Sequence, residues 1–377
     1  MYTGIWVLVY ILYSYRLSFL LEPLETSTII LVVGSSLSFV IGWVLESFDK
    51  KWRLSRMNLN IPAIRELVGS KRVKNRLAVA WLILGFGILL EIVFFHGAPG
   101  LFLFGIGPDI SYVEYGIPGL HGLLNSIFYA CCVVQFSRIL LGLSKRSFFL
   151  ILISISYPLL GMSRQILVSL VVHYVLIYFS IKKTSFRVLV TAGLLIASVF
   201  LIFGYLGDIR SGREHIILLS QPTFDYPEWL PSAFIWFYIY LCTPLNNINF
   251  NINIEPNFFP LDTLSSLIPS FAREEIMALF GWKSQQWELV TESFNVSSLL
   301  KSFLTDFGVV GTIFFTLLCG LVFSRILRHS EKSPKNFFTI IIFMHGLALS
   351  FFANLLFHLV FLFEILTIYW IFKRWRN

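Results

Sequence analysis

Apolar runs of roughly 18 or more residues recur along this chain, and each is long enough to cross a hydrocarbon core of about 30 Å as a helix. Lipid offers backbone N–H and C=O groups no partners, so a spanning segment must be a helix or part of a closed barrel. The ~10-residue alternating segments of a barrel are missing. Of the 377 residues, 56% are hydrophobic and 13% charged. That leaves too little polar surface for a water-soluble domain of this length, and the mean hydropathy of +0.77 agrees. The expected fold is therefore all-α: a polytopic membrane protein of about ten transmembrane helices forming one integral membrane domain over residues 1–377. The spans fall at approximately 3–20, 27–46, 77–95, 118–142, 147–162, 165–181, 186–206, 308–327, 337–354 and 355–372.

The net charge of +8 is distributed in a way that orients these spans. Lys50, Lys51, Arg53, Arg56, Arg65, Lys71, Arg72, Lys74 and Arg76 crowd into one connecting segment. Lys145 with Arg146, Lys182 with Lys183, Arg328 with Lys332 and Lys335, and the tail Lys373, Arg374 and Arg376 fall on the same side. The positive-inside rule puts that side, and both termini, in the cytoplasm, and explains the basic balance without nucleic acid. The first apolar segment lacks a basic leader region and a small-residue cleavage site, so it is expected to be retained. Cys131, Cys132, Cys242 and Cys319 lie in apolar surroundings without a CxxC pair, which suits core packing rather than zinc or redox chemistry.

On the opposite side one long segment, 208–306, separates the seventh and eighth spans. Its run Trp229-Leu-Pro-Ser-Ala-Phe-Ile-Trp-Phe-Tyr-Ile-Tyr-Leu241 is too short to span, so it is expected to be re-entrant or interfacial. Long ordered loops tend to carry function. Arginines are few here: Arg164 in a tight turn, Arg210 and Arg213 just past the seventh span, and Arg273 further on. Each alone reads as a lipid-headgroup contact. Together, set against the positive-inside trend, they point to an anion site, because the guanidinium fork matches phosphate oxygens with two bonds. Candidate catalytic groups are His215, Glu214 and Asp208, beside that arginine pair. His121, Glu91, Asn246 and Asn247 are candidates to line a substrate. His173, His345 and His358 lie within spans and read as packing or helix-bonding residues.

No DxD, HExxH or GxxxxGK[ST] occurs, so neither a metal-bound nucleotide sugar nor a nucleotide is indicated, and no cofactor is expected. An outer-face enzyme needs a donor that arrives already activated, and a lipid-linked pyrophosphate meets that need. Five stretches bear on this: Gly116-Ile-Pro-Gly-Leu-His-Gly122, Ser163-Arg164-Gln165, Gly204-Tyr-Leu-Gly-Asp-Ile-Arg-Ser-Gly-Arg213, Tyr238-Ile-Tyr-Leu-Cys-Thr-Pro-Leu-Asn-Asn247 and Asp306-Phe-Gly-Val-Val-Gly311. In their order and topology they resemble the bacterial oligosaccharide repeat-unit polymerases of the O-antigen (Wzy) type, over about residues 27–375. An arginine followed eleven residues later by glycine, as in two outer loops of some members, is not found after Arg210 or Arg213.

The resemblance implies a C-type glycosyltransferase fold and an inverting, metal-independent enzyme in the bacterial inner membrane. Such an enzyme moves a growing chain from undecaprenyl pyrophosphate to an incoming undecaprenyl-pyrophosphate-linked oligosaccharide. It also implies a flippase and a chain-length regulator as partners. An O-antigen ligase of similar architecture, or a transporter of lipid-linked sugar, are the competing readings. A transporter would more often show pseudo-repeated halves, and none is visible here.

Overall fold

The computed structural model describes residues 2–48, 59–102, 104–112, 114–182, 212–282 and 285–373, with isolated positions between 185 and 208. These residues form helices and connecting turns, and no strand occurs among them beyond a single bridge between Ser18 and Pro222. The helices are α1 (Tyr2–Ser14), α2 (Thr26–Phe48), α3 (Ile61–Gly69), α4 (Lys71–Phe94), the single turn α5 (Pro99–Phe102), α6 (Leu120–Leu140), α7 (Ser147–Leu160) and α8 (Arg164–Ile181). After the 183–211 stretch come α9 (Arg213–Ser220), α10 (Ala233–Phe250), α11 (Leu261–Ser265), α12 (Ser270–Leu279), α13 (Leu299–Lys332), α14 (Pro334–Ala348) and α15 (Leu359–Phe372).

Five of these are long and apolar enough to cross a membrane: α2, α4, α6, α8 and α13. That is fewer than the ten expected from apolar runs. α1, α7 and α15 are apolar but have 13, 14 and 14 residues. At 1.5 Å per residue each covers only about 20 Å. α14 is also short, with 15 residues. The expected seventh span, 186–206, lies mostly outside the described residues. The run from Trp229 to Leu241 departs from expectation differently. Its helix continues to Phe250, carries Pro244 inside, and is buried along most of its length against α1.

Each long helix separates two faces by its sequence period. On α4, Leu82, Phe86, Leu89 and Val93 stand exposed at 73%, 70%, 62% and 71%, a stripe that water would not tolerate and lipid would. Its other face, Val73, Leu77, Ala80, Leu84, Gly87 and Glu91, is buried. Two cores result. One joins α3, α4, α6, α7, α8, α14 and α15, and the other joins α1, α2, α10 and α13. In the second, α2 and α13 touch backbone to backbone. A Cβ on Gly42 would sit 2.1 Å from the Leu317 carbonyl oxygen, and one on Gly320 would sit 2.2 Å from that of Phe39. Small residues at membrane helix crossings permit this closeness.

Arg76, Arg138 and Arg328 mark one end of the bundle. Arg76, in the first turns of α4, donates to the carbonyls of Trp370 and Lys373 at the end of α15. Arg138, near the end of α6, donates to the Val68 carbonyl at the end of α3, and Arg328 pairs with Glu46. The ends of α4 and α7 and the starts of α6, α8 and α15 therefore form the opposite end.

Candidate functional site

At that opposite end the loop entering α6 is shaped by two glycines. Gly116 and Gly119 have φ of +115° and +83°, which side chains with a Cβ rarely adopt. A Cβ on Gly116 would lie 2.6 Å from Cγ of His121, so this glycine leaves room for the histidine ring. His121 is the second residue of α6. Its Nδ1 lies 3.2 and 3.1 Å from the two carboxylate oxygens of Glu91, and the Ile117 N–H donates to the same carboxylate at 3.1 Å.

The chemistry of this pair follows from which atoms can donate. Glu91 is on the buried stripe of α4, with its side chain 2% exposed, while that of His121 is 29% exposed. An ionised carboxylate only accepts, so Nδ1 of His121 carries the proton and donates it. The neutral ring then keeps the lone pair on Nε2, ready to take a proton. The ring of Tyr115 stands edge-on to His121, with centroids 5.9 Å apart. Burial, and then the charge of Glu91, push the Tyr115 phenol up to about 12. It stays protonated at neutral pH.

One turn below His121, α6 presents Asn125, and a turn further Tyr129. Both line a cavity of about 150 Å³, together with Ser163, Gln165 and Ser169 from α8 and its approach and His345 from α14. His358 and Glu364 of α15 complete its polar lining. Gln165 is exposed, Asn125 and His358 are half-buried, and Tyr129, Ser169, His345 and Glu364 are buried, so the cavity narrows inward from the dyad's end. His358 caps α15: its Nδ1 accepts the Val360 N–H at 3.2 Å. Nδ1 is therefore unprotonated, and the ring's one proton sits on Nε2 as a donor. Burial, and next the charge of Arg273, hold its pKa below the ordinary histidine value.

Two of the four candidate arginines adjoin residues of this cavity. Arg164 begins α8 between the cavity residues Ser163 and Gln165, with its guanidinium 5.7 Å from the Trp236 ring centroid. Arg273 of α12 acts electrostatically on His358. Its Nη2 donates to the Ile268 carbonyl at 3.3 Å, and its buried Nε has no hydrogen-bond partner. Arg213 is held differently. It donates to the carbonyls of Pro227 and Leu230 at 2.8 and 3.2 Å and lies over Tyr226, which pins the approach to α10. Asp208 accepts the Ser232 hydroxyl at the start of the same helix. Arg210 lies outside the described residues, and Glu214 and His215 are exposed on α9.

Asn246 and Asn247 are fully buried and serve as anchors. Asn246 accepts from Tyr13 and from the Glu22 N–H, and donates to the Leu20 carbonyl. Asn247 donates to the carbonyls of Phe294 and Val296 and accepts the Val290 N–H. Their amides are spent on tying loops 17–25 and 288–296 to α10. Asp306 likewise caps α11 by accepting the N–H groups of Asp262 and Thr263 at 2.9 and 2.7 Å. A larger recess of about 550 Å³, lined by Asn257, Phe259, Phe280, Trp282 and Gln285, touches neither the dyad nor these arginines. Among the described residues, no group of three or more His, Cys, Asp or Glu is placed to hold a metal ion. The chain matches no family model, no curated protein and no solved structure.

Proposed function

We propose that this chain is a membrane-embedded inverting glycosyltransferase that polymerises lipid-linked oligosaccharide units. The observation that carries the reading is the Glu91–His121 dyad, at the end of the bundle opposite Arg76, Arg138 and Arg328 and one helical turn from Asn125 of the polar cavity. In this reading that end faces outward and the basic end faces the cytoplasm. His121 Nε2 takes the proton of the acceptor hydroxyl as that oxygen attacks the anomeric carbon, and Glu91 holds the ring and stabilises the imidazolium. The anomeric bond to the lipid pyrophosphate breaks, and Arg164 and Arg273 meet the charge that grows on the leaving phosphate. His215, exposed on α9, is a weaker choice for the base than His121, which has a buried carboxylate behind it. The lipid tail follows the apolar outer surface of the bundle.

The test is reconstitution into liposomes with undecaprenyl-pyrophosphate-linked oligosaccharide as the sole substrate. The expected result is a ladder of products with release of undecaprenyl pyrophosphate, persisting in excess EDTA. A single transfer product onto lipid A core with no ladder would replace polymerase by ligase. Movement of intact lipid-linked sugar across the bilayer without bond formation would replace it by a transporter.

A further inference from the structure

The cavity beneath the dyad ends in polar atoms that the protein leaves unmatched. His345 is 4% exposed and stacks on His173 at 4.0 Å between ring centroids, yet neither of its ring nitrogens has a hydrogen-bond partner. Glu364 is 1% exposed, and its Oε1 lacks a hydrogen bond while lying 3.3 Å from Nε2 of His173. His173 Nδ1 donates to the Ser169 carbonyl at 2.8 Å, so it carries a proton. One further proton must then sit between His173 Nε2 and Glu364, or two lone pairs would face each other. The pair is neutral as a whole. Buried polar atoms without partners are costly, and both nitrogens of His345 remain without one.

The kind of ligand follows from what the lining lacks. A neutral His345 needs one acceptor for its N–H and one donor for its lone pair. At the mouth, His358 offers an N–H and Gln165 an amide of both kinds, while Asn125, whose Oδ1 accepts the Tyr157 hydroxyl at 2.7 Å, offers its amide N–H groups. An anion would leave the lone pair and Glu364 unmet, and a cation would leave the N–H groups unmet. Hydroxyl groups serve both. At ~30 Å³ per water, the volume of about 150 Å³ matches roughly five waters or one hydroxylated six-membered ring. Tyr129 and Phe361 supply aromatic surface for the ring's C–H face.

We propose that this cavity binds one neutral sugar ring, holding the acceptor residue so that a hydroxyl reaches Nε2 of His121. Its catalytic role rests on the glycosyltransferase reading; the binding does not. Asn125 stands four residues from His121 on the same helix face, about 6 Å along the axis, a distance that one ring spans.

The test is saturation-transfer NMR on the full chain in nanodiscs, free of sugar detergents. Glucose, galactose, rhamnose and N-acetylglucosamine are offered in turn, with glucuronic acid and glucosamine as charged counterparts. At least one neutral sugar is expected to receive saturation. That signal should be lost in Ser169→Phe, which fills the cavity, and fall at least fivefold in His345→Ala. Asn125→Leu, at the half-buried mouth, repeats the test if Ser169→Phe does not fold. No neutral-sugar signal sensitive to these changes, or a signal only from the charged sugars, overturns the proposal. Sugar binding without ladder formation would keep this site and remove the polymerase reading. A normal ladder from Ser169→Phe would remove the site and keep that reading.

Discussion

At the scale of single residues, the two histidines of this end differ in which ring nitrogen is committed. His121 gives Nδ1 to Glu91 and keeps Nε2 for chemistry, whereas His358 gives Nδ1 to the Val360 N–H and can only donate from Nε2. His358 should therefore titrate below the ordinary value of about 6.5. Because its folded pKa is depressed, the unfolded chain binds its proton first, and the fold loses stability as pH falls through the unfolded value. Selective ¹⁵N-histidine NMR should place its midpoint low, and Arg273→Ala should move it upward by removing a nearby positive charge. A midpoint unmoved in that variant would take Arg273 away from the cavity mouth. Arg164→Lys and Arg273→Lys keep charge but lose the two-bond fork. Each should slow polymer formation by about 10²-fold if it meets developing phosphate charge. Glu91 and His121 were both legible in the sequence as polar residues at span ends, but their pairing was not. It depends on Gly116 turning the loop back over α4, so that His121 meets a carboxylate thirty residues earlier in sequence.

At the scale of elements, the apolar runs located helices well, and among the described residues five of them are long and apolar enough to cross a membrane. The expected 118–142, 147–162 and 165–181 became Leu120–Leu140, Ser147–Leu160 and Arg164–Ile181, because hydrophobic period and turn residues act locally. α1, α7 and α15 are shorter, with 13, 14 and 14 residues. The Asn246 and Asn247 pair is less legible. In sequence it resembles a polar site, and in space it staples two loops to α10. Asn246→Ala removes hydrogen bonds buried between α1 and α10 and should destabilise the protein by about 1–3 kcal/mol, read as a lowered Tm in detergent. The α2–α13 crossing is equally specific. Gly42→Val would push a side chain onto the Leu317 carbonyl and should cost at least about 1–3 kcal/mol. Unchanged thermal stability in Gly42→Val would mean the two backbones do not meet there.

At the scale of the whole molecule, charge and chemistry divide the bundle into two ends. Lys71 is exposed at the basic end, and Asp225 is exposed in the segment between α9 and α10. In sealed vesicles, a membrane-impermeant thiol reagent applied outside should label Asp225→Cys and spare Lys71→Cys, with the native cysteines buried or half-buried. The reverse pattern would turn the molecule over. This polarity was legible in the sequence because it rests on counting lysines and arginines, while the site's location was not. From the sequence, the arginine pair near His215 is the favoured site, with His121 and Glu91 as lining residues; the folded chain pairs Glu91 with His121 directly. The most direct measurement is therefore the initial rate of ladder formation by His121→Ala, Glu91→Gln and His215→Ala in liposomes with undecaprenyl-pyrophosphate-linked oligosaccharide. His121→Ala should lose about 10²–10⁴-fold, Glu91→Gln should lose less, and His215→Ala should match the parent. Full activity in folded His121→Ala, or its loss in His215→Ala alone, would contradict the role of His121.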